Sequence, residues 1–322
     1  MKFVHDDKDF GDLLRIVAGE RKLGPGLVEK DYWITHALWA LGDQGFDIWF
    51  KGGTSLSKGF RLIRRFSEDL DLKIEPGTVR GIPSGINWKS EGAKAVKARE
   101  EYFDALARKI AIPGTTLKRD GTAPDELQRN ANFQAIYPGR YAADLPPPMK
   151  PFVLLEVGNA RIAPSVERDM ASFVHEYLEG RGQLAGYEDN RPRKVRCVHP
   201  LVTLLEKLDA LHRRVPREGV EPATFVRHFE DAATIIRKEK ELPPLEGYED
   251  MRALAAEMKE SGQIKELPSA ADPAWNLAPG ARMEAIEEAW GAIAPIYWEP
   301  GARISLNESC RIIREWAAAN FP

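Results

Sequence analysis

Between residues 68 and 74 the chain reads Glu-Asp-Leu-Asp-Leu-Lys-Ile. The alternation is strict: Leu70, Leu72 and Ile74 fall on one side and Asp69, Asp71 and Lys73 on the other. A period of two residues belongs to a strand with one buried face. The segment therefore predicts a half-buried strand whose open face carries acids, while Glu68 alternates onto the apolar side and leaves the acid pair. Just upstream, Phe46-Asp-Ile-Trp-Phe50 is short, apolar and rich in strand-formers, and Gly52-Gly53 interrupts it. Residues 54 to 65, TSLSKGFRLIRR, predict a helix capped by Thr54 or Ser55, with Leu56, Phe60 and Ile63 on one face. The expectation is strand, tight turn, helix, strand within 30 residues.

The remaining periodicities place this unit in a mixed sheet. A helix is expected over residues 26 to 45, a charged helix over 89 to 110 followed by a polar loop, and strands over 133 to 141, 152 to 161 and 194 to 199. Residues 199 to 214, with Pro200 in the first turn and a leucine stripe, predict a helix, as do residues 222 to 240. The rest of the chain is expected to be mostly helical. The fold class is α/β (α+β): a mixed sheet with flanking helices followed by a mainly helical C-terminal lobe. The expected domains are 1–165, with 76–150 as an insertion, and 166–322. At 322 residues with a formal net charge of −3, the chain has no global pull toward polyanions, so any basic surface is local. Cys197 and Cys310 are too few for a disulfide framework or a cysteine-rich zinc site. No apolar run approaches the ~18 residues of a membrane span. The N-terminal residues MKFVHDDKDF lack the apolar stretch of a secretory signal. A soluble cytoplasmic protein without a membrane partner is expected.

Two carboxylates at i and i+2 of a strand lie about 6.6 Å apart along the backbone. At an effective dielectric near 20 they repel by about 2.5 kcal/mol, which a divalent cation would relieve. Mg²⁺ (or Mn²⁺) prefers carboxylate oxygens and keeps positions open for substrate phosphates. Glu156, an acid set in the apolar run 152 to 158, is expected to be a third metal ligand from a neighbouring strand. The glycines would let a phosphate approach the backbone, with Thr54 and Ser55 adding hydroxyls and Lys58, Arg61, Arg64 and Arg65 adding charge on the same helix. That basic run reads either as a substrate rail or as the wet side of a helix. A P-loop is excluded, because Ser57 precedes Lys58 and Gly59 follows it. An isolated Asp-x-Asp or Gly-Gly is ordinarily a solvated face or a turn, so the information is in their order. Lys207 flanks its leucine stripe, where lysines commonly extend to water, and Asp231 sits off the apolar face of its helix. His212, on the apolar stripe, reads as a satisfied core histidine.

Strand, Gly-Gly-Thr-Ser, helix and FSEDLDL together resemble the nucleotidyltransferase superfamily with its polymerase-β-like fold. They resemble more closely the AbiEii/AbiGii-type abortive-infection toxin family. That family's further blocks appear in order as VEKDYWITHAL (28 to 38), FVLLEVG (152 to 158), HPLVTLLEKLDALHRR (199 to 214) and RHFEDAATI (227 to 235). The resemblance covers about residues 25 to 240. It implies metal-dependent transfer of a nucleotide from an NTP, with Asp69 and Asp71 as metal ligands and Gly52, Gly53, Thr54, Ser55 and Lys58 on the triphosphate side. It also implies active-site roles for Lys207 and Asp231, with Glu156 as the third acid. Glu230-Asp231 departs from the family's more frequent Tyr-Asp. A cognate antitoxin, a DNA-binding regulator, is an implied partner. RNA, at the 3′ end of tRNA, is an implied acceptor, which the basic segments 58 to 65 and 191 to 196 would suit. Modification of a protein or small molecule, or a non-catalytic nucleotide- or RNA-binding module on the same fold, are the competing readings.

Overall fold

The computed structural model describes residues 1–67, 69–121 and 125–322. The expectation for Glu68 lies outside the described residues. Seven strands form one mixed sheet: β1 (Asp47–Lys51), β2 (Asp69–Glu75), β3 (Thr116–Asp120), β4 (Asn130–Ile136), β5 (Phe152–Gly158), β6 (Ser165–Arg168) and β7 (Val195–Val198), in the spatial order β3-β4-β5-β2-β1-β7-β6. The helices are α1 (Phe10–Arg21), α2 (Pro25–Asp43), a single turn α3 (Gly52–Thr54), α4 (Ala93–Lys109), α5 (Phe173–Gly180), α6 (Pro200–Arg214), α7 (Arg227–Arg237), α8 (Met251–Glu260), α9 (Ala281–Ala292) and α10 (Leu306–Asn320). The described chain divides into two compact units. One holds Met1–Gly59 and Ser67–Cys197; the other holds Phe60–Phe66 and Val198–Pro322.

In the first unit, β2 is central. It pairs antiparallel with β1 and parallel with β5, and Leu70, Leu72 and Ile74 are fully buried, as the alternation requires. The open face is shorter than the sequence suggests. Lys73 is buried, bridged to Glu75 at 2.9 Å and lying 4.7 Å from the centre of the Trp88 ring, so Trp88 closes the face beyond Asp71. The segment that reads as a polar loop between 110 and 133 contains β3, whose Leu-Lys-Arg-Asp sequence sits at the sheet edge, where charge discourages pairing with other chains. Its neighbour β4 holds only residues 133–136 of the expected 133–141 strand: it starts earlier, at Asn130, and ends at Ile136, two residues before Pro138, which cannot donate to a ladder.

The expected helix over 54 to 65 is not formed. After α3 a wide turn continues over Ser55–Gly59 and stops. Gly59 lies against Cys197, where an added Cβ would come within 2.9 Å of the sulfur, and Arg61 takes a left-handed φ of +53°. The first admits only glycine at the end of the turn, and the left-handed Arg61 breaks helical continuation. Residues 60–66 then run as irregular chain and pack with the second unit. Only Lys58 of the basic run is therefore helical.

In the second unit, α6 begins at Pro200 with His199 as its cap, its ring nitrogen accepting the amide of Leu201. The leucine stripe is buried as expected: Leu201, Leu204, Leu205, Leu208 and Leu211 each expose under a tenth of their surface. Helix α7 packs against both α6 and α10, which leaves it little free surface.

Candidate active site

The first unit brings Asp71, Glu156 and Gly52 together. Asp71 pairs in register with Glu156 across the parallel strands β2 and β5, so the two carboxylates are direct neighbours on one face of the sheet. The same row continues to Lys51 of β1 on one side and Asn132 of β4 on the other. These four residues line a cavity of about 320 Å³, with Asn130, Gly158 and Asn159 on its wall. Asp69 stands two residues before Asp71 on β2, half-exposed on the same face and in register with Leu154.

The need for glycine at position 52 is explicit. Gly52 has φ of +74°, and an added Cβ would lie 1.7 Å from Asp71 Oδ2. The turn thus runs against the carboxylate itself. Thr54, buried, donates its hydroxyl to the carbonyl of Asp69 at 2.6 Å and ties the turn to the start of β2. Ser57 donates to the Thr54 carbonyl, closing the next turn. Gly53 and Ser55 are buried in the same turn. Ser55 packs against the Cys197 thiol, which burial pushes up to about 12, so the thiol stays protonated at neutral pH.

The VEKDYW segment is a scaffold for this site, a role the sequence did not reveal. Within α2, Lys30 donates to the carbonyls of Lys150 and Phe152, fixing the start of the strand that carries Glu156. Asp31 pairs with Lys58 at 2.5 Å and accepts the amide of Phe173, anchoring the end of the Gly-Gly turn. Glu29 accepts the amides of Arg140 and Tyr141. Three consecutive charged residues, each under a twentieth exposed, are retained because each satisfies a distant backbone or ion partner.

The rest of the expected basic rail is engaged in the second unit. Arg64 pairs with Glu299 at 3.1 Å. Arg65, fully buried, donates from Nε and Nη2 to the two oxygens of Asp231 at 2.9 and 2.6 Å and from Nη1 to the Phe66 carbonyl at 2.9 Å. Lys207 also reaches Asp231, at 2.8 Å, and its Nζ lies 3.2 Å from His228 Nδ1. Asp231 is therefore no surface acid and Lys207 no lysine extended to water: each exposes under a tenth of its surface. The helical wheel placed them off the apolar stripe correctly, but α7 is covered on that side too, by Arg65. Burial opposes ionisation of Asp231, and the two cations override it, holding the carboxyl below its usual range. Burial lowers the Lys207 ammonium and drives the His228 imidazole well down, so His228 accepts from the ammonium as a neutral ring. His212 is only partly buried and bonds Asp272 at 2.6 Å, so it is satisfied but lies at the edge of the core. The cluster at 191 to 196 is likewise paired: Arg191 with Glu179 and Asp189, Arg193 with Asp169 and Asp189, and Arg196 with Asp47.

Among the described residues no three His, Cys, Asp or Glu side chains converge as a formed metal cage. The donor set on β2 and β5 nonetheless suits a hard divalent cation, being made of carboxylate oxygens on one sheet face beside a cavity.

The family model described as nucleotidyl transferase AbiEii toxin, Type IV TA system, matches residues 37–296. The chain belongs to the AbiEii nucleotidyltransferase toxin family. It is a nucleotidyltransferase of the toxin type. Among solved structures it is similar to MenT4, a nucleotidyltransferase toxin from Mycobacterium tuberculosis H37Rv, at 13% identity and a TM-score of 0.42, covering 95% of this chain and 98% of that one. A nucleotidyltransferase described as putative from H. pylori is similar at 11% identity and a TM-score of 0.33, covering 90% and 96%. No curated protein matches significantly. No helix among the described residues is long and apolar enough to cross a membrane.

Proposed function

We propose that this AbiEii-family chain transfers a nucleotide from an NTP to a hydroxyl of RNA, at the 3′ end of tRNA, in a reaction dependent on Mg²⁺ or Mn²⁺. The observation that supports this most is the in-register pair Asp71 and Glu156, with Gly52 set against the Asp71 carboxylate beside an open cavity. Asp69, Asp71 and Glu156 would hold the cation, which when bound would offset charge developing on the transferred phosphate. Gly53 would let phosphate oxygens approach the backbone amides of the turn, Gly52 seats the Asp71 carboxylate against it, and Thr54 holds the turn to β2. Glu156 or Asp71 would accept the proton of the attacking hydroxyl.

Lys58 supports the turn through Asp31, with its charge already matched. For Lys207 and Asp231 the bonds within the second unit favour a fixed ion cluster that orders residues 60–66. A direct part in phosphate binding by Lys207 is tested by Lys207→Ala, expected to lower transfer in a protein that still folds. An antitoxin partner is proposed on family membership, and its co-expression is expected to relieve growth arrest.

The test of the activity is incubation with Mg²⁺, each labelled NTP and total tRNA. Labelled RNA that disappears in Asp69→Ala and Asp71→Ala is the expected result. Labelling unaffected by either change would overturn the site. RNA binding without transfer, with all four nucleotides, would favour the non-catalytic module.

A further inference from the structure

The row that holds the two acids ends on a cation. Lys51 is the last residue of β1, pairs in register with Asp71, and immediately precedes Gly52. Among the residues lining the cavity, Asp71 and Glu156 are the acids, Lys51 is the cation, and the three asparagines are neutral. Cross-strand neighbours on one face have Cβ atoms about 5 Å apart, well within reach of a lysine stem. Two adjacent carboxylates on a half-exposed face repel one another, and the nearest charge in the row that can offset this is the Lys51 ammonium.

We propose that Lys51 is the resident counter-ion of the Asp71–Glu156 pair and competes with the divalent cation for it. The inference rests on reading that pair as a metal site. In the metal-free protein the ammonium keeps the acids together and the face ordered. A cation entering the site must displace it, so Lys51 raises the cation concentration needed for loading. A bound metal with Lys51 still in place would put like charges side by side, so the lysine swings toward solvent or toward substrate phosphates. A strand-end lysine with no such role would leave metal affinity unchanged.

The experiment measures Mn²⁺ binding by electron paramagnetic resonance, and thermal unfolding with and without Mn²⁺, for the full chain and for Lys51→Met, Lys51→Gln, Lys51→Arg and Asp71→Asn. Removing the adjacent unit charge is expected to tighten Mn²⁺ binding at least roughly tenfold in Lys51→Met and Lys51→Gln. The same change should lower the metal-free melting temperature and widen the Mn²⁺-induced shift. Lys51→Arg should resemble the parent in both. Unchanged or weaker Mn²⁺ binding in both neutral variants would overturn the counter-ion role while leaving the metal site intact. If the parent binds no Mn²⁺, or binds it as well after Asp71→Asn, the metal-site reading falls and the counter-ion role with it.

Discussion

Replacing Gly52 by alanine tests how tightly the turn and the acid are coupled. The alanine must adopt the left-handed φ of +74°, at a cost of about 1 kcal/mol. Its Cβ would fall 1.7 Å from Asp71 Oδ2. Ordinary contact requires 3.5 Å or so, so the carboxylate must retreat by about 2 Å or the turn must shift by as much. A displacement of about 1 Å in a reacting constellation already costs roughly a hundredfold in rate. Gly52→Ala is therefore expected to reduce nucleotide transfer by at least two orders of magnitude while costing only about 1–3 kcal/mol of stability. Gly42→Ala is the matched control: it sits in α2 with nothing within 4 Å of the added Cβ, and it should raise stability by about 0.5–1 kcal/mol with activity unchanged. Transfer is read from labelled NTP incorporation and stability from denaturant melts. A Gly52→Ala protein with native melting and full transfer would refute the placement of Asp71 against the turn.

Asp231→Asn leaves Arg65 and Lys207 buried without their carboxylate and should cost about 3–5 kcal/mol in denaturant melts, whereas Lys207→Met, which leaves both Arg65 bonds in place, should cost about half as much; equal losses would show that Arg65 does not hold Asp231 alone. His36 and His175 are pushed by burial down to about 3 and about 4 from 6.5, so the unfolded chain binds protons the folded chain refuses. Their contribution is complete above pH 6.5 and is lost as pH falls toward 4, about 2 kcal/mol from each at pH 5; a flat stability between pH 7.5 and 5 would refute it. Arg99, fully buried, donates to the carbonyls of Asn87, Ser90 and Leu127. Arg99→Met should release residues 87–90 to limited proteolysis before global unfolding, and unchanged cleavage kinetics would contradict that.

The alternation at 69 to 75 was legible because period two has a single structural solution and the apolar partners are large. Glu156 was legible as an acid in an otherwise apolar strand, but its register against Asp71 was not, since pairing between distant strands leaves no local trace. The helix expected through Arg65 failed for a related reason. Its apolar spacing is real, yet Phe66 and Leu62 are buried in a different unit from Leu56. Helical spacing cannot say which core a residue serves. Periodicity marks the helix that carries the charged triplet Glu29-Lys30-Asp31 but says nothing of how those three side chains are satisfied. Their burial depends on the carbonyls and amides of residues more than a hundred positions away, which no window of sequence contains.

The Arg65 guanidinium meets its carboxylate 166 residues further along the chain. At a synthesis rate of about 5–20 residues per second, roughly 10–30 seconds separate the emergence of the two partners from the ribosome. Throughout that interval the segment that follows the Gly-Gly turn has no fixed conformation to adopt. Nascent chains arrested before Asp231 should be cleaved by protease across residues 60–66, and chains arrested beyond the end of α7 should resist. A stop before α7 would accordingly release a polypeptide whose Gly-Gly turn is still held at Asp31 and Asp69 but whose residues 60–66 lack their buried anchor, so the ion pair makes the order of that segment wait for the synthesis of α7.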